Sequence, residues 1–193
     1  MGDKTGRSRA PAQRAENPRR DRWGVVERRA ASLEEARALA HPLRLRILRL
    51  CLDDAMTNRQ LAVSLGLHPA TVLHHVRSLV ATGFLREEAS RPGRRGSIEK
   101  PYRASGKSWR MDVADTGERS AVERAMLEAV AAEIEEAGAG AVIEMDRLAM
   151  RLSPEQLQEL RHTLADLAGH YAEIDDPGGE PVALLLALHR RPS

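Results

Sequence analysis

Gly66 constrains the fold more than any other residue, because it separates two short segments that each carry their own helix start. Thr57 and Gln60 have the spacing of a capping box, in which each side chain bonds the other residue's backbone N–H. Leu61, Ala62 and Leu65 follow as a stripe to be buried. Gly66 supplies the left-handed residue that ends such a helix, with Leu67 packing back beyond it. His68 then stands at an N-cap and Pro69 at the first helical position, where a missing N–H does no harm. A second helix is expected over 69–82, stopped by Gly83. Two short helices joined by a tight glycine turn spell a helix-turn-helix.

The flanking segments extend this unit. Ser32 and Glu35 form another capping box, and Leu33, Ala36, Leu39 and Ala40 give that helix one apolar face. Pro42 breaks it and starts the next helix, with Leu45, Leu48 and Leu52 expected inward and Arg44, Arg46 and Arg49 on other faces. After Gly83, residues Phe84–Ser90 and Glu99–Ser105 read as two strands around a Pro/Gly/Arg loop, a hairpin shaped like a wing. Residues 1–22 are rich in Arg, Pro, Ala and Gly without apolar periodicity, so a disordered basic arm is expected there, and Trp23 is the first residue expected in a core. The domain assignment is therefore a basic tail over 1–22, a winged helix-turn-helix over 23–110 and a C-terminal region over 111–193.

Charge divides the chain near the same place. Residues 1–110 hold 23 Lys and Arg against 11 Asp and Glu, while residues 111–193 hold 7 against 17. The net charge of +2 thus joins a basic stretch to an acidic one, which suits a polyanion-binding module attached to something else. In the acidic part, Asp115 or Thr116 is expected to cap a long helix whose Val122, Met126, Val130 and Ile134 recur every four residues. Ala141–Leu152 and Val182–Leu188 read as apolar strands. Between them Ser153, Pro154 and Gln156 start a helix with a stripe of Leu157, Leu160, Leu164, Leu167 and Tyr171, and Asp176–Gly179 reads as a turn. The fold class is mainly α within an α+β plan, and the C-terminal region is expected to mediate dimerisation and to offer a place for a small-molecule effector.

A helix that enters the major groove needs one apolar face and short polar or basic groups on the other. With Val72, Val76 and Leu79 inward at 3.6 residues per turn, Ala70, Thr71, His74, Arg77 and Ser78 point outward. Small residues at the helix start allow close approach to base edges, and His74 and Arg77 can donate to guanine or phosphate. His75 lies at the border and reads as a satisfied packing histidine; Leu73 either completes the core or touches a thymine methyl. Outward Thr, His and Arg on an amphipathic helix usually mean only solvent, and the capped helix and turn before them favour double-stranded DNA. Arg91, Arg94 and Arg95, with Lys100 beside them, suit backbone or minor-groove contact over a wing at 91–100. The same cluster could instead protect a sheet edge.

Two stretches carry a family resemblance. Ala38-Leu39-Ala40-His41-Pro42-Leu43-Arg44-Leu45-Arg46-Ile47-Leu48 resembles the opening of ArsR-type winged helix-turn-helix regulators, and Leu65–Val76 resembles their turn and recognition helix. The resemblance spans roughly residues 30–105 and implies a dimeric bacterial transcription regulator, usually a repressor released from its operator by a ligand. His68 departs from the Ser-like cap of that family, and Leu73 stands where a small polar residue is common. Metal-sensing members use cysteine pairs, or Asp-x-His together with His-x-x-Glu. This chain has the single Cys51, expected in the core, and only His170 and Glu173 match half of the second design. No metal or cofactor is expected.

Other classes fit less well. No nucleophile with its base, paired carboxylates or phosphate loop occurs at telling spacing, so an enzyme is not expected. A winged-helix protein–protein adaptor is the main alternative, and RNA binding lacks exposed aromatics for stacking. No apolar run approaches the ~20 residues of a membrane span, nor does an apolar stretch follow Arg19-Arg20. With one cysteine, a cytoplasmic location is expected.

Overall fold

A computed structural model describes residues 28–92, 98–174, 176 and 178–191. The expected tail at 1–22, Trp23, and the wing-tip residues Arg94 and Arg95 lie outside the described residues. The described chain forms two compact units, one of 28–151 with 183–187, the other of 152–182 with 188–191. The elements combine helices with small sheets, an α+β fold.

The first unit opens with β1 (Arg29–Ala30), α1 (Leu33–Leu39), α2 (Pro42–Leu50) and β2 (Met56–Thr57). Then come α3 (Asn58–Ser64), α4 (Pro69–Ala81), β3 (Leu85–Glu87), β4 (Arg91–Pro92), β5 (Ile98–Glu99), β6 (Pro101–Ala104), β7 (Met111–Asp112) and α5 (Arg119–Ala137). A three-stranded sheet has the order β2-β6-β3, with Leu85 opposite Ala104 and Met56 opposite Tyr102, both pairings antiparallel. The expected strands Phe84–Ser90 and Glu99–Ser105 appear as the shorter β3 and β6, and a further short pair, β4 against β5, begins within the stretch read as the loop. β1 pairs parallel with β7.

Local chemistry sets the helix ends. The expected capping boxes form at Ser32/Glu35 and Thr57/Gln60. Gly66 has φ of 63°, and two bonds close the end of α3: Gly66 N–H to the Val63 carbonyl at 3.2 Å and Leu67 N–H to the Ala62 carbonyl at 3.0 Å. This paired pattern satisfies the carbonyls that a helix end otherwise leaves bare, and it needs a residue at ease with positive φ. α2 and α4 begin alike. His41 and His68 each accept a backbone N–H on Nδ1 at 3.2 Å, and a proline follows each.

The core joins α1, α2, α3, α4, the sheet and α5. Val72, Val76 and Leu79 of α4 are fully buried with Ile47, Leu61, Phe84 and Leu85. In α2 the buried residues are Ile47 and Leu48, followed by Cys51, whereas Leu45 is half-buried and Leu52 is exposed. Leu33 is likewise exposed, and Ala36, Ala38 and Leu39 form the buried face of α1. Cys51 is fully buried, and burial pushes its thiol up to about 11.

Three expectations for the C-terminal part are corrected. α5 starts at Arg119, not at a cap on Asp115 or Thr116; Thr116 Oγ1 instead bonds the Val113 carbonyl in the preceding turn. Its inward face is Val122, Ala125 and Ala129, with Met126 and Ile134 exposed. The reason is geometric: each four-residue step advances 400°, so a strict row of fours drifts about 40° per step and leaves the face. Alternating steps of three and four stay on it. Neither Ala141–Leu152 nor Val182–Leu188 forms a strand among the described residues. In the second unit α6 (Pro154–Glu173) has the expected capping box at Ser153/Gln156, and Leu157, Leu160, Leu164 and Leu167 are only partly buried.

Glu35 ties several elements together. Its carboxylate receives Arg29 at 2.7 Å, the Ser32 N–H at 2.8 Å and Lys107 Nζ at 2.5 Å. Lys107 also donates to the Thr82 carbonyl at the end of α4, 2.7 Å away. Burial works against the Glu35 charge, yet the bonds from Arg29, Lys107 and Ser32 outweigh it and hold the carboxyl down from 4.5 to about 2. A depressed carboxylate stabilises the fold above its unfolded pKa, and that contribution is lost as pH falls from about 4.5 towards 2. Glu35→Gln will flatten this part of the pH dependence of urea unfolding. Leu79→Ala will lower unfolding free energy by about 2–5 kcal/mol, read from the urea midpoint.

Candidate nucleic-acid interface

The outward side of α4 follows from its inward side. Val72, Val76 and Leu79 occupy the core, which fixes the rotation of the helix and leaves Ala70, Thr71, His74 and Arg77 exposed. Ser78 is half-buried, and its carbonyl accepts Thr82 Oγ1 at 2.9 Å, so it lies at the edge of the exposed face and not in its middle. Leu73 is half-buried as well. Asn58, which sequence reasoning passed over, donates from Nδ2 to the Pro69 carbonyl at 3.0 Å and ties the start of α3 to the first turn of α4. Only its place directly after the Thr57 cap hinted at such a role.

The wing presents cations already engaged with acids. Arg91 faces Glu99 at 3.5 Å, Lys100 pairs with Glu87 at 2.9 Å, and Glu88 receives Arg86 at 3.2 Å and Arg103 at 3.4 Å. All three acids are themselves partly exposed, and such exposed pairs contribute little to stability. A phosphate can therefore replace the carboxylates at small cost. Arg91 also approaches Gln60 Oε1 at 3.5 Å, next to an open depression of about 550 Å³ lined by Arg49, Asp53, Asp54 and Met56 among others.

The basic residues of α2 are less available than their number suggests. Arg44 is turned inward onto the α1 carbonyls of Ala38 and Arg37, at 2.6 and 2.5 Å. Arg46 pairs with Glu136 of α5, and the half-buried Glu133 lies where Arg49 and Arg46 favour its charge while burial opposes it.

Behind α4 sits a buried imidazole. His75 is 9% exposed, its ring 4.5 Å from that of His41 and 5.4 Å from that of His74. It packs as expected but is not satisfied, because Nδ1 is buried without a hydrogen-bond partner. Burial pushes its pKa down from 6.5 to about 4, with His41, Arg44 and His74 acting in the same direction. His41 is lowered too, first by burial and then by Arg44 and His74, with Glu128 of α5 opposing. Among the described residues no group of three or more His, Cys, Asp and Glu could hold a metal ion.

A family profile described as a helix-turn-helix domain matches residues 39–88, the stretch from the end of α1 through β3. No curated protein matches the chain. The matched stretch contains α3, the Gly66 turn and α4, and a helix-turn-helix domain points to DNA as the partner and to transcription regulation as the task. No helix among the described residues is long and apolar enough to cross a membrane.

A histidine whose pKa is depressed in the fold stabilises it above the unfolded value, and the contribution is lost as pH drops through the window from 6.5 towards 4. His75→Leu, which removes both the titration and the unpartnered nitrogen, will unfold at a more nearly constant urea midpoint between pH 7 and pH 5 than the native protein.

Proposed function

We propose that the protein is a sequence-specific double-stranded DNA-binding transcription regulator, an ArsR-like homodimeric repressor acting in the bacterial cytoplasm and without catalytic activity. The observation that carries the reading is the outward face of α4: Ala70 and Thr71 at its start are small and exposed, and Arg77 is exposed without an acid partner among the salt bridges of the described residues. Small residues at the helix start let backbone and side chains approach base edges, and a free guanidinium can bond guanine O6 and N7 together. Arg91 and Lys100 on the wing neutralise phosphates alongside. Two-fold symmetry sets the two α4 helices about one turn of DNA apart, so the operator is an inverted repeat. The C-terminal region from residue 111 is read as the place for a small-molecule effector.

Fluorescence anisotropy of the promoter region upstream of its own coding sequence, against a shuffled duplex, tests the reading. Native protein prefers the promoter, and Arg77→Ala loses about 1–3 kcal/mol of that preference. Lys100→Ala weakens both duplexes alike and reduces the salt slope by about 1. Equal binding to the two duplexes by native protein, vanishing together near physiological salt, would remove sequence reading and leave the adaptor function.

A further inference from the structure

Both ends of α3 are completed without help from Asn58. The Thr57 N–H donates to Gln60 Oε1 at 2.9 Å, and Thr57 Oγ1 accepts the Gln60 N–H at 3.3 Å. At the other end the Gly66 turn closes on the Val63 and Ala62 carbonyls. Asn58 is the first residue of this helix, and its side chain is left to act elsewhere. Among the described residues its hydrogen bond goes to α4, where Nδ2 donates to the Pro69 carbonyl at 3.0 Å. A carbonyl oxygen has two lone pairs, so Pro69 accepts this amide without giving up the helix ladder.

As a support for stability the amide is poorly placed. Asn58 Oδ1 is buried without a hydrogen-bond partner among the described residues. A buried acceptor left unpaired costs at least as much as one neutral hydrogen bond contributes. The net effect of the side chain is therefore on geometry. Pro69 opens α4 and has no N–H of its own. The first turn is otherwise held by His68, whose Nδ1 accepts the Ala70 N–H at 3.2 Å and whose carbonyl accepts those of Thr71 and Val72 at 3.0 and 3.3 Å. These bonds join near neighbours in sequence, so they shape the turn without fixing its distance from the start of α3. Val72, Val76 and Leu79 set the rotation of α4 about its axis. The Asn58 bond, spanning eleven residues, ties the start of one helix to the start of the other. Ala70 and Thr71, both exposed, follow directly after the residue it holds.

Resting on the base reading proposed above, we infer that Asn58 is a positioning residue for that reading. It holds the first turn of α4 where Ala70 and Thr71 meet base edges, and so sets discrimination between sequences more than overall affinity. A reading face about 1 Å too loose loses the geometry that its contacts need.

Fluorescence anisotropy with the promoter and shuffled duplexes tests this on the full chain. Asn58→Ala should lower the promoter-over-shuffled affinity ratio about three- to tenfold, within reach of what one good base contact contributes. Binding to the shuffled duplex, its salt slope and the urea midpoint should stay as in the native protein. Phosphate contacts and core are untouched, and loss of the bond is offset by loss of the unpaired oxygen. A double-mutant cycle locates the effect: Asn58→Ala should change the ratio less in a Thr71→Ala background, and by its full factor in a Lys100→Ala background. Hydrogen exchange gives a measurement without DNA. The Ala70–Leu73 amides should exchange faster in Asn58→Ala, with Val76 and Leu79 unchanged. An unchanged ratio for Asn58→Ala, while Arg77→Ala still lowers it, overturns the role of Asn58 and leaves base reading by α4 in place. Full additivity with Thr71→Ala, a ratio that falls only together with the urea midpoint, or exchange that quickens along all of α4 overturns it as well. Native protein that prefers neither duplex overturns base reading and the role of Asn58 together.

Discussion

Everything proposed for the first unit depends on the burial of one face of α4. Val72, Val76 and Leu79 are each at zero exposure, and a helix held by three core side chains cannot rotate without exposing one of them, at about 1.5–3 kcal/mol apiece. Rotation being fixed, the outward positions are fixed as well. The Gly66 turn sets where the helix begins relative to α3, since its two closing hydrogen bonds and the Asn58 bond to Pro69 leave few other approaches. At the far end Lys107 joins the carbonyl of Thr82, the residue that ends α4, to Glu35 and thereby to α1 and β1. The reading face is thus presented by a scaffold clamped at both ends, as a site needs if its side chains are to meet bases in register.

What could be read from sequence was the chemistry that acts over three or four residues. The boxes at Ser32/Glu35, Thr57/Gln60 and Ser153/Gln156 require only a spacing and a backbone N–H, so they form wherever the residues occur. The same holds for His68, whose ring nitrogen replaces a hydroxyl as the cap, whereas the like cap at His41 emerges only from the structure. The outward residues of α4 were legible because Val72, Val76 and Leu79 mark the opposite face unambiguously. Arg91–Glu99 and Lys100–Glu87 were not, because they depend on which strand positions stand side by side in the hairpin. The inward face of α5 was misread for want of the drift that a row of fours accumulates.

The strands assigned to 141–152 and 182–188 failed for a different reason. Alternating apolar residues record that a face is meant to be covered; they do not record by what. Both segments keep that pattern while the chain supplies neither with a backbone partner among the described residues.

The charge division of the sequence also needs a finer account. The basic excess of residues 1–110 is not a uniform field, because folding turns part of it inward. Arg44 is spent on the carbonyls that end α1, and Arg46 and Arg49 face the acidic side of α5. α5 belongs by composition to the acidic half, yet it packs on α1 and α2 through Val122, Ala125 and Ala129. Its carboxylates therefore neutralise α2. Wing cations are also paired, but with exposed acids that lend little energy, so a polyanion can displace them. Arg77 needs no displacement. On the proposed reading, the positive charge that folding leaves open to a polyanion includes Arg77 on α4 and the wing cations, beside the outward residues proposed to read bases.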